Sequence, residues 1–326
     1  MTANLPPIPD LSEMMRITAG LNAARAHEPR LAGAEPGDLI RHIPGKRAIF
    51  HGQLEGRDVV FRMHLTPEKK DAARREWDEM QRLWPYMATG DLRVPQPICA
   101  APAAGVIVQE MVPGTPLLEL LYSLEPPQRI AYLAPAAAWL RASTAMSEGW
   151  RAPRPDHWIA RAAGASEKQP FAQLRALELR ILAQMKRLAP IVASEPWRVA
   201  ICHGDYHPNN LIANGARLTG IDLGGSQHLP LMKDIARFAV HMGRRRLRLS
   251  GTTCLGVDRA CTDAFAGAFA FSDLERRAVL PFFLAFEALI RVENTALPDS
   301  RITRAEQMYR GLLCDLEKIG TDATLL

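Results

Sequence analysis

The spacing of apolar residues changes character along the chain, and each change predicts a different kind of element. Residues Pro9 to Ala26 predict a short leading helix, followed by a Pro- and Gly-bearing connector from Glu28 to Gly37. From Leu39 to Leu65, short runs rich in Ile, Val and Phe are separated by Pro44-Gly45 and by Glu55-Gly56, the pattern of three antiparallel strands joined by two turns. After Thr66-Pro67 the period becomes helical. Trp77, Met80 and Trp84 recur at i, i+3 and i+7, with Glu76, Met80 and Leu83 on an adjoining line, so Glu76 lies beside a buried face. Val94 to Ala100 and Gly105 to Met111 predict two further strands, and Val112-Pro113-Gly114 a hinge. Beyond it the chain reads mainly helical, as in Ile130 to Met146 and Phe171 to Leu188. In the latter, Leu174, Leu177, Ile181, Met185 and Leu188 keep helical spacing. Trp197 to Asp222 breaks this pattern with short apolar runs around a polar, Pro- and Asn-rich loop and a turn at Asn214-Gly215.

Composition narrows the class. With 326 residues, 48% of them apolar and 23% charged, the chain has enough apolar side chain for a sizeable core, which excludes a disordered protein. The length suits two domains, or one domain with two lobes. Forty Lys and Arg against 35 Asp and Glu give a formal charge of +5, too mild to indicate a nucleic-acid partner. The run Arg244, Arg245, Arg246 and Arg248 reads first as a solvated helix face and second as a meeting place for an anionic substrate. Five cysteines without CxxC spacing indicate neither a disulfide framework nor a structural zinc site, and fit a reducing cytoplasm. Met1 to Asp10 lacks the basic and apolar regions of a secretory leader. The most apolar later stretch, Ala278 to Ile290, is interrupted by Pro281 and Glu287, so neither secretion nor a membrane partner is expected.

The chemistry concentrates in His203-Gly204-Asp205-Tyr206-His207-Pro208-Asn209-Asn210, followed by Asp222 in Ile221-Asp222-Leu223-Gly224. Asp205, Asn210 and Asp222 put three oxygen-bearing side chains on two loops that a short hairpin would hold side by side. Phosphoryl transfer needs such a set, because charge on the phosphoryl oxygens and on the departing diphosphate must be met by Mg2+. That ion takes one or two hard oxygen ligands from protein, which suits Asn210 and Asp222 and leaves Asp205 to face an acceptor hydroxyl.

These residues, with Asp234-Ile235-Ala236 after them, resemble the aminoglycoside phosphotransferase and choline kinase superfamily, small-molecule relatives of the protein kinases. The order of elements resembles it over roughly residues 40 to 300, with the specific letters between His203 and Asp234. The resemblance implies an α+β, two-lobed protein-kinase-like fold: a helical extension over 1–38, an antiparallel sheet lobe over 39–112 that binds nucleotide, and a mainly helical lobe over 113–326. It implies a small-molecule kinase that moves the γ-phosphoryl group of ATP or GTP, with Mg2+, to a hydroxyl of a small metabolite. Asp205 matches the catalytic aspartate, and Asn210 and Asp222 the magnesium ligands. Glu110 and Val112 fall at the hinge, where backbone groups meet the purine. Asp234 matches a buried prop of the catalytic loop, and His203 helps to hold that loop.

Two positions depart from the family pattern. The third strand offers Arg62, in Val59-Val60-Phe61-Arg62, where a lysine usually pairs with nucleotide phosphates and with a helix glutamate, here Glu76. An arginine fork suits phosphate and carboxylate but differs in geometry from an ammonium. The turn Pro44-Gly45-Lys46-Arg47 holds one glycine, so a phosphate cradle there leans on Lys46 or Arg47. These departures motivate a second expectation, a non-catalytic nucleotide-binding or scaffold protein of the same fold. A third is a zinc-dependent hydrolase using His203, Asp205 and His207, which would need all three on one centre. Trp77 and Trp84 are expected in the core, and the acceptor pocket carries no motif.

Overall fold

The computed structural model describes residues 8–319. In chain order its main elements are α1 (Leu11–His27), β1 (Glu35–Ile43), β2 (Arg47–Leu54), β3 (Arg57–His64), α2 (Lys69–Met87), β4 (Pro97–Ala101), β5 (Val106–Glu110), α3 (Leu133–Thr144), α4 (Pro155–Ser166), α5 (Ala172–Val192) and β6 (Trp197–Cys202). They continue with β7 (Leu211–Asn214), β8 (Arg217–Gly220), β9 (Gln227–Pro230), α6 (Leu231–Gly243), α7 (Arg259–Ala268), α8 (Leu280–Leu289) and α9 (Asp299–Lys318). They form two compact units. The first runs to Thr115 and takes in Ile212–Ser226; the second comprises Pro116–Leu211 and the chain from Gln227 on. Among the described residues no helix is long and apolar enough to cross a membrane.

In the first unit the sheet order is β1-β2-β3-β5-β4 with antiparallel neighbours. The alternation of β3 decides what each face does. Val59, Phe61 and Met63 enter a core with Ile17 and Ala24 of α1, Leu54, Val106 and Val108, so the intervening Val60, Arg62 and His64 face the other way. The helix expected as a leading extension thus packs on the sheet, because its apolar positions need that face. α1 starts where the Asp10 side chain accepts a hydrogen bond from the Glu13 amide at 2.8 Å.

In α2 the buried line is Ala73, Glu76, Met80, Leu83 and Met87. Trp77 and Trp84, expected in the core, are half-buried beside it. The carboxylate of Glu76 occupies the buried line, for a reason that lies in its partners.

The β7–β8 hairpin belongs to the first unit through β8, which pairs in parallel with Leu92–Arg93 (Leu218 opposite Leu92). Gly114 lies against the other strand of the hairpin, β7. Its φ is 134°, and a Cβ there would lie 2.4 Å from the Ala213 carbonyl oxygen, so both conformation and space demand glycine.

The second unit is mainly helical. α8 is buried along its whole length and packs on α6, α5 and α4, and α9 packs on α5. β6 pairs antiparallel with β9 and with Gly149–Arg151. Leu174, Leu177, Ile181, Met185 and Leu188 of α5 are all buried, as their spacing predicts. Gly114→Ala should destabilise the protein by about 2–4 kcal/mol, because strain at positive φ adds to the overlap with Ala213. Chemical denaturation of parent and variant checks this, and an unchanged midpoint would contradict the close approach.

Candidate active site

In the first unit Arg62 leaves the outer face of β3 and meets two carboxylates. Its Nε lies 2.6 Å from Glu76 Oε1, and its Nη2 donates to Asp222 Oδ1 at 2.7 Å. Both contacts are ion pairs, and the second is also a hydrogen bond. Arg62 and Glu76 are almost fully buried, at 6% and 1% side-chain exposure, whereas Asp222 keeps 20%. His64, two residues along the same strand face, reaches the other oxygen of Glu76 at 3.1 Å. Arg47, from the start of β2, grips Asp222 with both terminal nitrogens at 2.8 and 3.1 Å. The pairing expected between Arg62 and Glu76 therefore exists, with Asp222 as a third member. Burial works against the Arg62 charge, but Glu76 and Asp222 outweigh it and push its pKa up.

Local backbone makes this possible. Asp222 sits in the left-handed region (φ 64°, ψ 50°), a strained conformation for a residue with a side chain. Two residues on, a Cβ at Gly224 would come within 3.1 Å of Glu76 Oε2. The glycine of the Ile-Asp-Leu-Gly string thus leaves room for Glu76, which a Cβ would crowd.

The turn between β1 and β2 does not act as a bare amide cradle. The Gly45 amide donates to Glu13 Oε1 at 2.6 Å, and Glu13 also pairs with His42 at 3.1 Å. Arg47, one of the two side chains expected to carry a phosphate cradle there, is engaged with Asp222. At the end of β5 the Glu110 carboxylate accepts from Gln96 N at 3.0 Å and Arg93 Nη2 at 3.1 Å, and its amide donates to the Gln96 carbonyl. Among the described residues the Val112 amide and carbonyl carry no backbone hydrogen bond.

In the second unit the loop after β6 presents Asp205. Gly204, at φ 83°, makes the turn. Its amide donates to Asp234 Oδ2 at 3.0 Å and its carbonyl accepts from Lys233 Nζ at 3.2 Å. Tyr206, fully buried, anchors the next position by donating to the Ala136 carbonyl at 2.6 Å while stacked on Trp139. Asn210 Nδ2 donates to the Asp205 carbonyl at 3.0 Å, so its Oδ1 is the atom open to a ligand. Asp234 is buried as its expected role as a prop requires, and His203 Nδ1 accepts from the Asp205 amide at 3.4 Å.

The Asp205 carboxylate, 45% exposed, is ringed by cations and an imidazole. Arg237 Nε lies 2.8 Å from it, Arg291 Nη2 3.5 Å, and His207 Nε2 3.3 Å. Burial alone would raise its pKa, but the His207 hydrogen bond and the Arg237 charge outweigh burial and hold the carboxyl far below the usual range. His207 stacks on His241 with ring centroids 4.4 Å apart. Arg237 and Arg291 escaped the sequence reading. The available signal was Arg237 three residues after Asp234, one turn before His241 on the same helix; nothing local marked Arg291.

Asp222, Arg62 and Glu76 are thus brought together in one unit, and Asp205 and Asn210 in the other. Among the described residues no three His, Cys, Asp or Glu side chains form a metal-binding group. His203 of the His-x-Asp-x-His string is buried against Trp139 and Tyr206.

Burial pushes both His207 and His241 below the ordinary imidazole pKa, with Arg245 adding to the effect on His241. Because their folded-state values lie below the unfolded value near 6.5, the unfolded chain takes up these protons first. Stability present above about pH 6.5 is therefore lost as the pH falls toward the folded-state values. From about pH 7.5 to about pH 5.5, urea unfolding should show falling stability, and His241→Phe should flatten that fall by about 1 kcal/mol per pH unit in its acid half. Identical slopes would mean that His241 takes up its proton as readily in the folded protein as in the unfolded chain.

The description "phosphotransferase enzyme family" fits residues 39–278. No curated protein matches the sequence. Among solved structures, a choline/ethanolamine kinase family protein from Mesorhizobium loti is 16% identical, with a TM-score of 0.58 over 93% of this chain and 100% of that one. A thermostable mutant of aminoglycoside phosphotransferase APH(4)-Ia, in ternary complex with ADP and hygromycin B, is 14% identical, with a TM-score of 0.54 over 88% and 96%. The amicoumacin kinase hAmiN, in complex with AMP-PNP, Ca2+ and Ami, is 10% identical, with a TM-score of 0.57 over 94% of each chain. These structures share its α+β protein-kinase-like fold. With three quarters of its length matched by the family, the chain belongs to the phosphotransferase enzyme family and is a small-molecule phosphotransferase.

Proposed function

We propose that the protein transfers the γ-phosphoryl group of ATP or GTP to a hydroxyl of a small molecule, directly and without a phosphoenzyme. The observation that carries this reading is the buried Arg62 held by Glu76 and Asp222. A fixed cation whose fork is oriented by two carboxylates is what nucleotide phosphates require of the third strand, and it supports arginine as a working substitute for lysine. The Glu110 carbonyl and the Val112 amide and carbonyl are the backbone groups that would meet the purine, and among the described residues Val112 has no backbone partner.

Asn210 and Asp222 are the residues that would hold Mg2+. Their atoms fit a hard cation: Asn210 presents Oδ1 because its Nδ2 is committed, and Asp222 presents a carboxylate. When bound, the ion neutralises charge on the phosphate oxygens. Arg47, the more exposed of the two arginines on Asp222, is the one whose release would free an oxygen for it.

Asp205 orients the acceptor hydroxyl. The hydroxyl oxygen bonds to phosphorus, the bond from phosphorus to the nucleoside diphosphate oxygen breaks with its electron pair, and the hydroxyl proton passes by way of Asp205 to solvent.

Asp205→Ala should lower turnover by about a hundredfold or more while keeping the rise in unfolding midpoint that nucleotide causes. Asp222→Ala should lose the Mg2+-dependent part of that rise. Undiminished turnover in both variants would sink the mechanism. Arg62→Lys should retain measurable turnover, whereas Arg62→Ala, which strands Glu76 without its cation, should lose it together with about 3–5 kcal/mol of stability. Equal stability of the two Arg62 variants would show that Glu76 does not depend on that charge.

A further inference from the structure

The second unit carries more positive charge around Asp205 than its carboxylates absorb. Asp205 is shared by Arg237 and Arg291. The buried Glu287 is shared by Lys233 at 3.2 Å and Arg291 at 3.4 Å. Glu293 is taken by Arg244 at 2.6 Å, and Arg244 also caps the Ala288 and Arg291 carbonyls. Both terminal nitrogens of Arg244 are thus used by the fold.

Its neighbour Arg245 is not. Half-buried, it donates to the His241 carbonyl at 3.0 Å and pairs with no carboxylate among the described residues. Burial and the nearby charge of Arg301, with smaller contributions from Arg237 and Arg244, push its pKa down to about 10, against a small opposing effect of Tyr122. Arg291 keeps a third of its side chain exposed and holds its two carboxylates at long range.

These cations come from three places. Arg237, His241 and Arg245 follow one another at i, i+4 and i+8, one face of α6 continued into its C-terminal turn, spanning about 12 Å of helix axis. Arg291 follows α8, and Arg301 lies in the first turn of α9. A half-buried guanidinium without a counter-charge is costly unless a ligand supplies one.

We propose that the acceptor is an anion, a small hydroxylated acid whose hydroxyl is placed at Asp205 and whose carboxylate or phosphate is received by Arg291 and Arg245. This rests on the phosphotransferase reading above and specifies its acceptor class; the transfer step is unchanged. Guanidinium forks match carboxylate and phosphate oxygens two at a time. An acceptor carrying an ammonium group would instead bring like charge to Arg237, Arg245 and Arg291.

The test is calorimetric titration of the full chain, loaded with ADP and Mg2+, with D-gluconate and glycerol 3-phosphate. D-glucitol and glycerol serve as their neutral counterparts, and choline as the cationic control. At least one anion should bind about tenfold or more tightly than its neutral counterpart and than choline, and the stronger anion decides between carboxylate and phosphate. Arg245→Gln and Arg291→Gln should each weaken that binding about tenfold, and Arg245→Lys should restore much of it. ADP titrated into each variant shows that its nucleotide site has folded. Choline or the neutral compounds binding as well as the anions, neither anion binding, or anion binding untouched by both Gln variants would overturn the proposal. Failure of ADP and Mg2+ to bind the parent would count against the phosphotransferase reading alone, since the same anion titrations without nucleotide still decide the acceptor class.

Discussion

A guanidinium cannot shed its proton in a protein, so Arg62, buried on β3, must have its charge met in place. That constraint orders the surrounding structure. Glu76 has to lie on the buried line of α2, which leaves Trp77 and Trp84 on its flanks. Asp222 has to turn its carboxylate toward the strand, which it does from a left-handed backbone conformation. Gly224 leaves room beside Glu76 Oε2 that a Cβ would crowd. His64 closes the remaining oxygen of Glu76. Burying such a network gains little stability over apolar packing, but breaking one member leaves the others uncompensated. What the network supplies is a fixed position for charge.

The second unit inverts the arrangement. There a single accessible carboxylate, Asp205, is surrounded by cations whose remaining counter-charges are buried in the fold. The loop that bears it is fixed by Asp234 and Lys233 on either side of Gly204, and by Tyr206 wedged between Trp139 and Phe238. Lys233 is in turn tied to Glu287 of α8, and Arg291, four residues further, reaches back to both Glu287 and Asp205. The lone carboxylate that interrupts the apolar run of α8 is therefore the link between the buried helix and the loop.

The parts of this that were legible in the sequence are those in which a local string fixes both residue type and spacing. The three strands of residues 35–64, the buried face of α5, and the loops bearing Asp205, Asn210 and Asp222 are of that kind. Arg62 and Glu76 could be paired because the family resemblance calls for a cation on the third strand and a helix glutamate, and the helical period set Glu76 beside the buried face of α2. Arg47 on Asp222, and Arg237 and Arg291 on Asp205, join residues 175, 32 and 86 positions apart, and no local pattern encodes such a meeting. α1 was legible as a helix but not in its packing: the few residues that seat it, Ile17 and Ala24, gain their meaning only from the sheet face they cover. The tryptophans misled because size argues for the core, whereas a buried arginine demanded a carboxylate on that line.

The electrostatics of Asp205 also bear on what it can do in the proposed reaction. A carboxylate held ionised far below neutral pH is a weak base, so little of the barrier can be lowered by proton abstraction before the transfer begins. The transition state of phosphoryl transfer is loose, and the nucleophile carries little charge until the bond to phosphorus forms. What it needs early is alignment, and Asp205, pinned at one oxygen by Arg237 and at the other by His207, is built to accept a hydroxyl hydrogen bond in one direction. The same arginines that weaken Asp205 as a base thus sharpen it as a guide. Burial lowers the pKa of the adjoining His207 as well, so that imidazole is a weak base too, and the departure of the proton to solvent follows the transfer.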